Sequence, residues 1–216
     1  MPFTKEQFLG VFVNYNTYVR PMQIILNVLA LAAIYFCFSK TKNANRYIGI
    51  ILTFFWLWIG VVYHLIFFSS INQGAYIFGA LFIIQSGLFF YAAVIKDSLS
   101  FSFKADKYSV WGIILLSYAL VIYPVLGHLL GHGYPQSPTF GLPCPTTIFT
   151  FGLLLLTDKS VSKYLLIIPL IWSLLGFSAA LNLGILEDSG LIIAGITSVF
   201  LLIIRDRKLI KIPKLT

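Results

Sequence analysis

The sequence is short of charge. Of 216 residues only 10% are Asp, Glu, Lys or Arg and 59% are hydrophobic, where a soluble domain carries roughly 25% charged residues. Such a chain cannot cover itself with a polar surface, which excludes an ordinary soluble enzyme and makes lipid its solvent. Cysteine is scarce as well: Cys37 and Cys144 are too few for a disulfide scaffold. There is no phosphate-binding glycine loop and no zincin motif. No lysine falls inside the last apolar segment, so a retinal Schiff base of the rhodopsin kind is not supported. Residues 1–20 lack a basic stretch followed by a short apolar core and a small-residue cleavage site, so no cleaved secretory signal is expected. The length suits a single transmembrane domain, 1–216, with no room for a second.

What the sequence has is long apolar runs. Seven lie near 21–39, 46–68, 74–95, 109–131, 145–157, 164–183 and 190–204. A crossing needs about 20 helical residues at ~1.5 Å each. Six runs reach that length, the last narrowly, and the fifth does not. Ahead of them, Thr4 and Gln7 form a capping box and Phe3 and Phe8 a hydrophobic staple. Phe8, Phe12, Tyr15 and Val19 then share one face, the pattern of a helix lying in the membrane interface over 3–20. The fold class expected is all-α: a polytopic membrane protein with seven transmembrane helices, the fifth short or interrupted, and an N-terminal interfacial helix.

Basic residues set the orientation. Lys40, Lys42 and Arg46, then Lys96, Lys104 and Lys107, then Lys159 and Lys163, then Arg205, Arg207, Lys208, Lys211 and Lys214 fall in alternate connections and the tail. The opposite side carries only Lys5 and Arg20. The amino terminus is expected outside and the carboxyl terminus in the cytoplasm, with Lys42, Lys104 and Thr216 inside and Ser137 outside. The net charge of +8 is then a topology signal and an anionic-lipid contact, and no nucleic-acid partner is expected.

The stretch from Gly127 to Thr147 interrupts this regularity. It holds two of the three histidines and four of the nine prolines. Proline removes an amide donor and clashes with the preceding turn, so regular helix is expected only from Pro145, with Thr139–Cys144 irregular at membrane depth. Such backbone must be buried in protein or line a cavity. Counting along the second and fourth spans puts His64 and His128 near the outer boundary, with His132 one turn beyond and Cys144 arriving from the fifth. These four could meet as ligands for zinc or copper. The alternative is interfacial histidines bonded to loop carbonyls. As the residue capping the fifth helix, Cys144 would sit where free amides favour a thiolate. With Thr146 and Thr147, the same helix end could hold an anion instead. Glu187 and Asp188 read as acidic residues at a helix start, Gln85 and Asn182 as helix–helix hydrogen bonds.

The stretches WLWIGVVYHLIFFSSIN (56–72) and GHGYPQSPTFGLPCPTTIFT (131–150) resemble an uncharacterised family of small bacterial multi-spanning membrane proteins, a domain of unknown function. The resemblance covers the whole chain, implies the plasma membrane of a bacterium, and supplies no activity. A weaker likeness is to the seven-span zinc hydrolases of the alkaline ceramidase and adiponectin-receptor type, which use three histidines. Here His-x3-His lies at span four and span three has no aspartate. The leading functional expectation is an outward-facing polar pocket, walled by the second, fourth and fifth spans, that binds or transports a small polar solute or metal ion. The alternatives are intramembrane metal- or thiol-dependent hydrolysis and a non-catalytic accessory subunit.

Overall fold

Among the described residues, eight helices account for most of the chain. They are α1 (Lys5–Tyr18), α2 (Arg20–Phe38), α3 (Ala44–Ser70), α4 (Ala75–Ile95), α5 (Lys107–Leu129), α6 (Pro143–Leu155), α7 (Tyr164–Leu183) and α8 (Ser189–Lys211). The computed structural model describes residues 2–211, so Lys214 and Thr216 of the basic tail lie outside the described residues. No β-strand occurs among the described residues, only two isolated bridges. Among the described residues six helices are long and apolar enough to cross a membrane, and α6 is apolar but shorter. Large apolar side chains such as Ile24, Val28, Leu31 and Tyr35 of α2 stay exposed.

Helix α1 starts as its sequence dictates. The Thr4 side chain accepts from the Gln7 amide and the Gln7 side chain accepts from the Thr4 amide. Phe3 stacks on Phe8 with ring centroids 5.7 Å apart. Three of the long helices carry π-turns, over Ile59–Phe67 in α3, Tyr91–Ile95 in α4 and Tyr118–Ile122 in α5. The last ends two residues before Pro124, which cannot join a regular i→i−4 ladder.

Helix α6 is the centre of the bundle. Every residue of its 13 except Cys144 is buried. At ~1.5 Å per residue it spans about 20 Å, short of a ~30 Å hydrocarbon core. Its burial on every side shows that protein surrounds it, and two of its three hydroxyls are turned back into the helix: Thr147 donates to Pro143 O and Thr150 to Thr146 O, each over 2.8 Å. The start is two residues earlier than the prolines suggest. Leu142 is the cap and Pro143 the first helical residue. Proline is tolerated there because a first-turn amide has no intrahelical partner to lose. Cys144 is therefore the second helical residue and not the cap.

The other end of α6 is closed by a residue from α8. Arg205, buried, donates to the carbonyl oxygens of Leu154, Leu155, Thr157 and Lys159 and to the Thr157 hydroxyl. Helix α8 accordingly runs on to Lys211, past the expected end at Ile204. The connections around 40, 100 and 160 meet at this end: Phe103 N donates to Cys37 O, Phe101 N to the Asn45 side chain, and Asp158 N to Ser100 O.

Candidate functional site

The opposite end gathers the amino-terminal helix and the connections near 72, 135 and 186. The irregular segment between α5 and α6 has no helical ladder, so its carbonyls need other donors. Helix α1 supplies them. Asn16, fully buried, donates to Pro135 O and Ser137 O over 2.7 and 2.8 Å, while Gln23 and Thr139 hold its side-chain oxygen. Tyr15 donates to Gly141 O over 2.9 Å and accepts from Trp58 Nε1. Burial pushes the Tyr15 phenol well above its usual range. Gly141 has φ +99°, and a Cβ there would come 2.6 Å from Leu26 Cδ1.

Two acidic side chains turn into this end. Glu187, 1% exposed, meets His132 with Oε1 3.1 Å from Nδ1. The same carboxylate oxygen and the Ser137 hydroxyl flank Gly127, where a Cβ would lie 3.4 Å from each. Tyr118 of α5 donates to the Glu187 backbone oxygen over 2.8 Å. Asp188, 4% exposed, accepts from the Tyr123 hydroxyl and lies within side-chain reach of Cys144. It thus sits beside the first turn of α6, where unpaired amides and the helix dipole favour a carboxylate.

Asp188 is also part of the wall of a half-open cavity of about 250 Å³. Phe3 and Phe8 come from the amino-terminal segment, Tyr63 and Phe68 from α3, Phe78 from α4 and Trp172 from α7. Asp188 is the single charged side chain among the described lining residues. Small residues of α7, among them Gly176 and Ala179, form the remaining side and leave the space open. Trp172 Nε1 is buried without a hydrogen-bond acceptor. It and the Cys144 sulfur lie 3.7 and 3.6 Å from where a Cβ on Gly176 would be.

The residues expected to form one site are dispersed. His64 is fully buried behind the cavity wall, among Phe82, Trp172, Tyr63 and Phe78 at centroid distances of 4.7, 5.1, 5.1 and 5.9 Å. Neither of its ring nitrogens has a hydrogen-bond partner. His128 is exposed on the last turn of α5, and His132, past the helix end, pairs with Glu187. Among the described residues no group of three or more His, Cys, Asp or Glu is placed to hold a metal ion. Thr146 is buried with its hydroxyl unpartnered, and Thr147 is bonded within α6. Cys144 has the Asp188 carboxylate for a neighbour. Both cysteines are free. None of these six residues lines the cavity, and the walls come from α1, α3, α4 and α7 in place of α3, α5 and α6.

What the sequence did not single out is Asp188 as a pocket residue. An acidic pair ahead of a helix reads as capping, and only the tertiary position of Tyr123 draws Asp188 inward. Gln85 is the bridge expected, donating to Leu165 O of α7, while Asn182 bonds within its own helix. A family model described as a family of unknown function (DUF6064) matches residues 5–211. No curated protein and no solved structure matches the chain.

Proposed function

The chain belongs to this family of unknown function, and from its architecture we propose a multi-pass integral membrane protein that binds a small solute from outside the cell. In this reading the six long helices and α6 make seven crossings and α1 lies at the outer interface. The basic connections face the cytoplasm of a bacterial cell. The orientation is supported by the grouping of the lysine- and arginine-bearing connections at one end of the bundle.

The observation that carries the solute reading is the cavity. At about 250 Å³ it lies just under the ~300–1,000 Å³ usual for ligand pockets, so its occupant has few heavy atoms. Aromatic rings and one carboxylate match the common form of such sites, a mostly apolar wall with a few placed polar groups. Binding is claimed here; translocation would need a second, inward-open arrangement.

A thermal-shift screen tests it. Small cations, anions and neutral solutes are applied to the purified protein and to Ala179→Phe, which fills the cavity from the α7 side. Compounds that stabilise the parent should lose their effect on the variant. A panel that stabilises neither protein, or both equally, would refute a solute site at this position.

A further inference from the structure

We infer that the solute is a small organic cation, carrying an alkylammonium or quaternary ammonium group. The inference rests on the reading of the cavity as a solute site and names the chemical class it takes. Two independent features point there. The first is Asp188, a carboxylate 4% exposed and the one charged side chain among the described residues of the wall. Buried carboxylates require a partner. Asp188 has the Tyr123 hydroxyl, the Cys144 side chain and the first turn of α6 beside it, but among the described residues its side chain meets no lysine or arginine, the ion pairs being His132–Glu187 and Arg205–Asp206. Lys5, the basic residue nearest in sequence to this end, lies over Gly184 with Nζ 3.8 Å from a Cβ position there and is not part of the wall.

The second feature is the ring content. Phe3, Phe8, Tyr63, Phe68, Phe78 and Trp172 all line the one cavity. A cation among aromatic rings is attracted by their quadrupoles, most strongly where water is excluded, and aromatic cages are the usual hosts of quaternary ammonium groups. The other charge classes fit less well. An anion would meet Asp188. A hard metal ion needs several oxygen ligands, and the cavity offers one carboxylate, with no group of three or more potential ligands among the described residues. An organic cation uses both features, its charge toward Asp188 and its carbon substituents against the rings.

Titration calorimetry on the full chain in nanodiscs of neutral lipid tests this. Tetramethylammonium and n-butylammonium are compared with the neutral tert-butanol and 1-butanol. The cations should bind roughly tenfold or more tightly than their neutral counterparts. Asp188→Asn, which keeps an acceptor for Tyr123, should remove that preference and leave the weak neutral binding. Phe78→Leu should weaken the cations several-fold and spare the neutral probes, and Ala179→Phe should abolish both. Neutral probes that match the cations, or a preference that survives Asp188→Asn, would overturn the cation assignment while leaving the cavity a solute site. Binding of neither class, or binding unchanged by Ala179→Phe, would overturn the solute site itself.

Discussion

At the scale of single residues, the side chains that matter most are polar groups brought inside an apolar bundle, and their partners are distant in sequence. Arg205 is one. Its fork reaches four carbonyl oxygens and a hydroxyl where α6 ends, at the negative end of that helix's dipole. Removing it strands those carbonyls, so Arg205→Met should destabilise the protein by roughly 3 kcal/mol. Lysine supplies charge without the fork, and Arg205→Lys should recover less than half. Thermal unfolding in a fixed detergent measures both, and a lysine variant as stable as the parent would show that charge alone suffices. In the sequence Arg205 was one basic residue in a tail expected to be cytoplasmic, because topology counting weighs charge and ignores hydrogen-bond geometry. Asp188 and Glu187 were hidden likewise: their helix-start position was correctly read, but their partners Tyr123 and His132 lie 65 and 55 residues away. Thr4–Gln7 and Phe3–Phe8 were legible because both ends of each contact lie within five residues.

At the scale of elements, the short central helix and the close crossings hold the bundle together. Between apolar helices in lipid, van der Waals fit replaces the hydrophobic drive, so backbones approach through small residues. On α3 and α4 the pairs are Gly49 with Ala93 and Gly60 with Gly79. A Cβ on Gly49 would overlap the Ala93 methyl, whereas one on Gly87 of α4 meets nothing within 4 Å. Ala is otherwise the better helix former by ~1 kcal/mol. Gly87→Ala should therefore be neutral or slightly stabilising, and Gly49→Ala should cost about 1–3 kcal/mol through overpacking. Unfolding midpoints of the two variants should move in opposite directions or differ by that amount; equal shifts would mean the crossing yields freely. Helix positions were readable from apolar run length to within two residues at most ends. The start of α6 was misplaced because prolines count against a helix everywhere except its first turn, where Pro143 and Pro145 both stand.

At the scale of the whole molecule, the connections near 40, 100 and 160, which alternate along the sequence, are brought together at one end of the bundle. The cavity, by contrast, was not legible. It is assembled from the amino-terminal segment, three long helices and one turn, and no local pattern joins Phe3 to Trp172 or Asp188. The histidines drew attention instead because their chemistry is conspicuous in an apolar chain, yet only His132 makes a polar side-chain contact. The central claim is an outward-facing cavity in a membrane-spanning bundle, and cysteine accessibility in intact cells tests it most directly. In a background with Cys37→Ala and Cys144→Ser, single cysteines are placed at Ala179 in the cavity wall, at exposed Gln136 and at exposed Lys104. Gln136 replaces Ser137 as the outer reporter because Ser137 is buried, at 4% exposure. A small membrane-impermeant thiol reagent should modify positions 179 and 136 in intact cells, and position 104 only after the membrane is opened. Modification at 104 in intact cells, with 179 and 136 protected, would contradict the account.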